Sequence, residues 1–433
     1  MIKMSIFKFS LKMHIGNPSE PVVQIGDLIK RGQCIAEPLK LGAKIHSSVN
    51  GKVLEIKDEF ITIEADEIQE KEFVKIKECS TIAEYAFEAG LVGAGGAGFP
   101  THIKLQTQVP DGYIIANCIE CEPALNHNVN FLEKDATLVI KGIKYAMEST
   151  GATKAYVGIK YKNSEAITAT QKVIDKLGYT DTIKIFGAKN IYPMGEERAL
   201  INAIFDKWIS ATELPSKENC VVMNSETLAN LTRAIEQRKP VIDKDLTVIG
   251  NFINKETSNV YFDIPIGASM KELTSEYKLR YELGEVVIGG PFTGVACDLD
   301  KAYVTKVSGG IIFTIPLPEY KGPVGLLVCA CGANEERLRD IATKMKSEIK
   351  GVTFCKNIAE NGKCQTPGKC PGQVQGVMEL KASGAKRIIM SNCNDCSNTV
   401  MCCAPKLGIG VYHATDHIFR TFNYPLSRRL EIN

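Results

Sequence analysis

The most constraining feature of this 433-residue chain is the uneven distribution of its 15 cysteines. Nine of them lie between Cys329 and Cys403, and six precede residue 300. The basic, partly apolar N-terminal segment lacks the unbroken apolar stretch and the cleavage site of a secretory leader. We therefore expect reactive or metal-binding thiols in a C-terminal domain, joined to a body with a different task, rather than a frame of disulfides.

The composition argues against several classes of protein. Hydrophobic residues make up 44% and charged residues 24% of the chain, which is ordinary for a globular protein of several domains. The formal net charge of +2 creates no field that would attract nucleic acid or an anionic membrane. No apolar run is long enough to span a bilayer. The sequence predicts a cytoplasmic protein with no nucleic-acid partner and no membrane span, and it leaves open whether the chain forms a homo-oligomer.

The hydrophobic pattern divides the chain into four predicted domains. Residues 1–72 consist of short β-rich runs separated by turns. Residues 78–245 alternate strands and helices, which predicts an α/β domain with a largely parallel sheet. Residues 246–318 return to strands with one short helix, and residues 322–433 form a second, cysteine-rich α/β unit. The predicted fold class is α/β and α+β multidomain.

A glycine-rich run from Gly90 to Thr101 is the strongest candidate for a ligand site. Glycine at this density lets the backbone approach a flat or charged ligand and point N–H groups at it. The run ends in Phe99-Pro100, which is unsuited to a Rossmann turn that opens directly into a helix. It therefore predicts a ligand-binding loop other than the standard dinucleotide fingerprint.

Four motifs, in the same order, resemble the flavin- and NADH-binding segments of the complex I flavoprotein subunit and the Rnf-complex C subunit. They are GAGGAGFPTHIKL from Gly93, NCIECEP from Asn117, YPMGEERALI from Tyr192 and MNSETLANL from Met223. Four ordered motifs of this kind are highly specific. The resemblance covers roughly residues 1–318, and it implies electron transfer from NADH through bound FMN.

The resemblance also implies roles for individual residues. The implied cofactor-binding residues are Gly93, Gly95, Gly96, Ala97, Gly98, Phe99, Lys104, Asn117, Glu120, Glu122, Gly195, Glu196, Glu197, Asn224 and Thr227. The glycine loop would line the flavin ring and ribityl chain, with Lys104 near the FMN phosphate. Asn117, Asn224 and Thr227 would hydrogen-bond the flavin, and Glu120 and Glu122 would lie near the flavin and nicotinamide. Phe99 and Glu197 would help to seat NADH, although a core phenylalanine and a solvent-facing glutamate are the alternatives.

Two flanking modules agree with this resemblance. Residues 1–72 look like the lipoyl/biotinyl-like barrel sandwich of the Rnf C subunit. Within them, the pair Asn50-Gly51 between β-forming residues predicts a hairpin. Residues 246–318 resemble the soluble-ligand-binding β-grasp module that follows the flavin domain in this family.

The C-terminal cysteines are where the chain departs from the family, because it lacks the C-x2-C-x2-C-x3-C-P ferredoxin motif of the Rnf C subunit. Instead, cysteines follow two predicted strands, beginning at Cys329 and Cys393, and open α/β sheets bind ligands at the carboxyl ends of strands. One interpretation is a redox dithiol of Cys329 and Cys331, with pKa values lowered by a helix N-terminus. The others are an iron–sulfur cluster and a structural zinc ion. The candidate metal ligands are Cys329, Cys331, Cys364, Cys370, Cys393 and Cys396.

The cysteine tail decides which partner the sequence predicts. A Rnf-C-like body with such a tail resembles the electron-transfer proteins that serve proline reductase in clostridial amino-acid fermentation. That resemblance implies a path from NADH through FMN to a cysteine centre, and through Cys329 and Cys331 to a partner reductase. A cobalamin reductase of the same body and a non-catalytic assembly subunit are the alternatives. His413 and His417, at i, i+4 spacing, could share a helix face and join a mixed Cys/His site, or simply pack.

Overall fold

The structure is a computed structural model that describes residues 5–96 and 98–426. Its strands form separate sheets, and the sheets of the four domains follow one another along the chain. Within the described ranges, no helix combines the length and the apolar character needed to cross a membrane.

Two antiparallel sheets form the first domain. Its strands are β1 (Ile6–Ser10), β2 (Glu20–Pro21), β3 (Leu28–Ile29), β4 (Cys34–Glu37), β5 (Ile45–His46), β6 (Gly51–Lys57) and β7 (Phe60–Ala65). The strand orders are β1-β7-β6-β3 and β2-β4-β5. Alternate residues of β1, Phe7 and Phe9, are buried, so one face of the larger sheet packs into the core. The predicted barrel sandwich is confirmed.

The hairpin predicted at Asn50-Gly51 is wrong. β5 pairs with β4, whereas β6 pairs with β3 and β7. Gly51 lies inside β6, where a Cβ atom would come 2.1 Å from the carbonyl oxygen of Glu64. The side chain of Asn50 accepts a hydrogen bond from the backbone N–H of Arg31 at 2.8 Å. The glycine therefore serves a close backbone approach within the sheet and not a turn.

A parallel sheet covered by helices forms the second domain, as predicted. Its elements are α1 (Ile82–Glu88), α2 (Thr101–Gln106), β8 (Tyr113–Asn117), α3 (His127–Asp135), α4 (Thr137–Thr150), β9 (Lys154–Lys160), α5 (Ser164–Lys176), β10 (Ile183–Ala188), α6 (Glu197–Phe205), β11 (Cys220–Asn224) and α7 (Ser225–Glu236). The strand order is β10-β9-β8-β11, with all neighbours parallel. The order reverses between β8 and β11, which is where open α/β sheets bind ligands.

A mixed sheet forms the third domain. Its elements are β12 (Asp243–Ile249), β13 (Ser258–Pro265), α8 (Met270–Leu273), β14 (Val286–Ile288), β15 (Val295–Cys297) and β16 (Gly310–Phe313). The order is β13-β12-β16-β14-β15, with β12 parallel to β16 and the other pairs antiparallel. A mixed sheet around a parallel pair is consistent with the expected β-grasp module. β12 begins at Asp243, slightly before the predicted boundary at residue 246.

A second parallel sheet forms the fourth domain. Its elements are β17 (Pro323–Val328), α9 (Glu335–Lys344), β18 (Glu348–Phe354), α10 (Val374–Ala382), β19 (Arg387–Met390), α11 (Asn394–Cys403), β20 (Gly410–His413) and α12 (Asp416–Thr421). The order is β18-β17-β19-β20, all parallel. Here the order reverses between β17 and β19, the two strands that the cysteine pairs follow.

Buried charges join the third and fourth domains. Glu285 pairs with Arg337, and it accepts hydrogen bonds from Lys344 Nζ and His417 Nε2, both at 2.8 Å. His413 ends β20 and bonds to the carbonyl oxygen of Asn392 at 3.0 Å, whereas His417 lies on α12. The two histidines therefore share no helix face, and each has a packing role.

Candidate functional site

A cavity of about 430 Å³ opens at the carboxyl ends of β8 and β11. The predicted residues that line it are Gly93, Gly95, Gly96, Phe99, Lys104, Asn117, Glu120, Glu122, Gly195, Glu196, Glu197 and Asn224. The third domain closes one side with Gly289, Gly290 and Thr293. The strand reversal thus gathers four separate sequence motifs into one site.

The glycine loop forms one wall of this cavity. Gly96 has a φ of +114°, and a Cβ atom built there would meet nothing within 4 Å. At Gly95 a Cβ atom would lie 3.4 Å from Nδ2 of Asn224. Side chains at either position would therefore occupy space that a flat ring could use, and this bare backbone fits a flavin. Ala97 lies outside the described residues.

Two predicted residues support the loop from behind and do not line the cavity. Thr227 is buried, and its Oγ1 accepts a hydrogen bond from the N–H of Ala94 at 3.0 Å and donates to the carbonyl of Val92 at 3.2 Å. Gly98 packs against the first domain, where a Cβ atom would lie 3.1 Å from Cα of His14. The structure therefore gives Thr227 and Gly98 the task of shaping the loop.

Two asparagines end neighbouring strands at the floor of the cavity. Asn117 and Asn224 face each other in the register of β8 and β11. Asn117 Nδ2 donates to the carbonyl of Gly195 at 2.8 Å. Asn224 Oδ1 accepts from the N–H of Glu226 at 2.9 Å and caps α7. The backbone interactions fix both side chains at the cavity, where they can present polar atoms to a ligand.

The two acidic residues of the second motif differ in their surroundings. Glu120 accepts hydrogen bonds from the N–H and Nδ2 of Asn128, both at 3.2 Å, and burial raises its pKa to about 7. Glu122 accepts from the N–H of Phe292 at 2.8 Å and from the N–H of Thr293 at 3.0 Å. Glu122 therefore anchors a turn of the third domain at the cavity wall, while the charge of Glu120 changes near neutral pH.

Another part of the cavity lining contains an ion pair. Lys104 Nζ pairs with Glu197 and donates to the carbonyl of Val222 at 2.8 Å. Glu196 caps α6 by accepting from the N–H groups of Arg198 at 2.9 Å and Ala199 at 3.0 Å. A phosphate at this wall would compete with Glu197 for the Lys104 ammonium.

Seven cysteines meet at the carboxyl ends of β17, β18 and β19. They are Cys329, Cys331, Cys355, Cys364, Cys370, Cys393 and Cys396. Cys331 hydrogen-bonds with Cys329, Cys364 and Cys393. Cys396 hydrogen-bonds with Cys355, Cys370 and Cys393. Cys355 lies outside the set predicted from the sequence, and Cys393 links the two groups of thiols.

The pKa values of these thiols are shifted in opposite directions. Hydrogen bonds from Cys329 and Cys396 lower the pKa of Cys355 to about 2. Hydrogen bonds with neighbouring thiols, together with burial, raise the pKa of Cys331. The hydrogen bond with Cys331 alone would lower the pKa of Cys329, but the hydrogen bond with Cys355 and burial raise it overall. The helix N-terminus that was expected to lower the pKa values of Cys329 and Cys331 does not lie beside these two thiols. α9 begins only at Glu335, so neither thiol lies at its N-terminus.

The donor set identifies what this site could hold. In the described part of the chain, no group of three or more His, Cys, Asp or Glu side chains has an arrangement that could hold a metal ion as it stands. Thiolates are the ligands of iron–sulfur clusters and of structural zinc, so the seven thiols fit either by their chemistry. Cys329 and Cys331 are both buried. The exit of electrons through this pair to a partner reductase stays a prediction.

An aromatic pair, absent from the predicted site, lies between the cavity and the thiols. Tyr192 stacks on Phe292 with ring centroids 3.7 Å apart and planes 8° apart. The Tyr192 hydroxyl donates to the carbonyl of Cys331 at 2.5 Å, and the Phe292 N–H donates to Glu122 of the cavity wall. Asn394, in α11, accepts from the N–H of Tyr192 at 2.5 Å. The second, third and fourth domains therefore meet at Tyr192.

A bare glycine loop at the strand reversal of a parallel sheet fits the class of FMN-binding flavoproteins. Family models agree with this class. Residues 86–233 match the Nuo51 FMN-binding domain, and residues 3–77 match the RnfC barrel sandwich hybrid domain.

The chain belongs to the family of C subunits of Rnf-type ferredoxin:NAD(+) oxidoreductase complexes. It is 30% identical over 323 residues to the C subunit of the Na(+)-translocating complex of Acetobacterium woodii, covering 70% of this chain and 71% of that one. It is 32% identical over 327 residues to the C subunit of the proton-translocating complex of Clostridium ljungdahlii, covering 70% and 69%. The cobalamin reductase of Salmonella typhimurium is 35% identical over 233 residues, covering 53% and 49%. The predicted family and its FMN domain are thus confirmed, and the chain is an electron-transfer flavoprotein.

Proposed function

We propose that the chain oxidises NADH and passes the electrons through FMN to a centre held by the seven cysteines, and from there to a protein acceptor. The observation that carries this proposal is the Tyr192–Phe292 pair, which joins the wall of the glycine-loop cavity to Cys331. FMN, when bound, supplies the change from two-electron to one-electron chemistry. The residues of the chain supply binding, orientation and the path between the two sites.

Each wall of the cavity has a distinct part in this proposal. The backbone of Gly95 and Gly96 holds the flat ring, while Lys104 attracts the phosphate. The turn that Glu122 anchors covers one side of the cavity and keeps water away from the ring. No side chain needs to act as an acid or base, because orientation of nicotinamide against flavin is the main requirement of hydride transfer.

The seven thiols support an iron–sulfur centre over the two alternatives. Their number exceeds what one tetrahedral zinc ion binds. A dithiol of Cys329 and Cys331 would leave the other five thiols gathered together without a role. Iron and acid-labile sulfide, measured in protein purified anaerobically, test this proposal. A Cys364→Ser variant should lose iron and a Cys297→Ser control should keep it, whereas zinc, or no metal in the wild type, would favour an alternative. A thiol-held centre of this kind also supports a cytoplasmic location.

The acceptor we propose is D-proline reductase, on the resemblance of the body and its cysteine tail to the carriers that serve that enzyme. NADH oxidation by the purified chain should then depend on D-proline reductase together with D-proline. The match to a cobalamin reductase supports a second candidate, which predicts NADH oxidation with cob(II)alamin instead. A chain that binds no FMN and oxidises no NADH with any acceptor would be an assembly subunit.

A further inference from the structure

An apolar and basic surface covers the thiol site. Phe354, Val374 and Met378 expose 55%, 48% and 56% of their surfaces. Phe354 ends β18, while Val374 and Met378 lie one turn apart on α10, which packs against β18. Three exposed lysines, Lys356, Lys369 and Lys381, are close to these residues in the sequence. These six residues are called the exit surface below.

The exit surface is positively charged. In the described part of the chain, none of its lysines forms an ion pair, and Lys356 Nζ donates to the side chain of Gln375 on α10 at 2.5 Å. The nearby carboxylate of Glu379 accepts hydrogen bonds from Thr353 at 3.0 Å and Gln375 at 2.9 Å. Glu379 keeps its negative charge in these bonds, so the three lysines outnumber it and leave the surface with a net positive charge.

The exit surface is joined directly to the thiols. Phe354 and Lys356 flank Cys355, and Lys369 precedes Cys370. Gln373, the residue before Val374, donates from Nε2 to the sulfur of Cys355 at 3.0 Å. Among the seven thiols, Cys370 is half-buried and the other six are buried. The half-buried Cys370 thus connects the thiol site to this surface.

We infer that the exit surface is the docking site of a redox protein whose own centre is surrounded by acidic residues. The inference rests on the proposed function, because it needs an electron at the thiol site. Transient redox contacts are small, and charge complementarity steers them while an apolar centre is covered. One electron leaves the reduced thiol-held centre and reduces the acceptor of the docked protein, so no bond and no proton need move. The lysines select an acidic partner.

Two haem proteins of opposite charge can test this docking site. The complete chain, loaded with FMN and supplied with NADH, is mixed with acidic cytochrome b5 or basic cytochrome c, and ferricyanide reduction is measured in parallel. The triple variant Lys356→Glu, Lys369→Glu, Lys381→Glu should slow reduction of cytochrome b5 about tenfold or more. Met378→Asp should slow it as well. Lys172→Glu, an exposed change on α5, is the matched control and should leave it unchanged.

The outcomes separate this inference from the proposed function. Unchanged ferricyanide reduction with slowed cytochrome b5 reduction in the triple variant supports the docking site. Cytochrome b5 that is not reduced, or is reduced equally fast by the triple variant, overturns it. If ferricyanide is not reduced either, the proposed function fails. Carbodiimide cross-linking of cytochrome b5 to the chain then decides the docking site alone, because cross-links that avoid Lys356, Lys369 and Lys381 would overturn it.

Discussion

The hydroxyl of Tyr192 donates a hydrogen bond to the backbone carbonyl of Cys331 at 2.5 Å. Tyr192 belongs to the same motif as Gly195 and Glu196 of the cavity, whereas Cys331 belongs to the thiol site of another domain. The hydrogen bond therefore joins the cavity motif to the thiol site, and under the proposed function the rate of electron transfer depends on the separation of these two sites.

Tyr192→Phe should keep the stack on Phe292 but leave the Cys331 carbonyl without its buried donor. We expect a loss of about 1–3 kcal/mol in the free energy of unfolding, because a buried acceptor becomes unsatisfied. Urea denaturation measures this loss, and stopped-flow spectroscopy should show slower reduction of the thiol-held centre at an unchanged rate of flavin reduction. Tyr277→Phe removes a comparable hydroxyl bond, to Tyr261, far from the thiols. Equal slowing in that control would contradict a specific role for Tyr192.

Gly96→Glu should abolish FMN binding, because the new side chain enters the open space beside the loop. The measurement is the flavin content after reconstitution with FMN. Gly178 is a matched control, since its φ of +72° is also left-handed and a Cβ atom there also meets nothing within 4 Å. Gly178→Glu places the same side chain at a left-handed position away from the cavity and should still bind flavin. A Gly96→Glu protein with normal flavin content would refute the assignment of the loop.

Glu120 should make the stability of the protein depend on pH. Burial raises its pKa in the folded state to about 7, from an ordinary value of 4.5. The folded protein therefore binds more protons than the unfolded chain between these two values, and this contribution to stability is present below pH 4.5 and lost as the pH rises through about 7. Glu120→Gln should remove the effect. The free energy of unfolding of the variant, relative to that of the wild type, should therefore rise by at most about 3 kcal/mol between pH 4.5 and about 7. Urea unfolding of the flavin-free proteins at several pH values checks this, and a difference that does not vary with pH would contradict it.

Cys331→Ala should leave NADH-to-dye electron transfer intact and stop transfer to the protein acceptor. Cys331 contacts three other thiols and lies on the Tyr192 side of the site, so its loss breaks the path after the flavin. Steady-state rates with ferricyanide measure electron transfer from NADH to a dye, and rates with the acceptor protein measure electron transfer beyond the thiol site. Cys297→Ala, in β15, is the control that should retain both activities. Wild-type transfer to the acceptor by Cys331→Ala would exclude Cys331 from the path.

The cavity was largely predictable because its residues come from compact motifs at strand ends. Asn117 and Asn224 each follow a β-forming run, so their meeting follows once β8 and β11 are known to be parallel neighbours. Glu122 was placed near the cofactor, but its bond to Phe292 depends on how the third domain docks, and no local pattern encodes that. The hairpin at Asn50-Gly51 failed because the same dipeptide can serve a turn or a close strand contact.

The thiol site was less predictable. Cys355 follows β18 just as Cys329 follows β17, and the pattern of a strand followed by a cysteine could have identified it. Tyr192 offered no such signal, because its hydroxyl meets Cys331 across a sequence separation of 139 residues. Its role follows from tertiary packing, which the motif around it does not describe.

The most direct test of the central claim is the anaerobic visible spectrum of the FMN-loaded protein before and after addition of NADH. The account predicts flavin absorption that bleaches on addition of NADH, together with broad absorption of the thiol-held centre that also changes. A protein that remains colourless after reconstitution with FMN, or whose flavin absorption is indifferent to NADH, would contradict it.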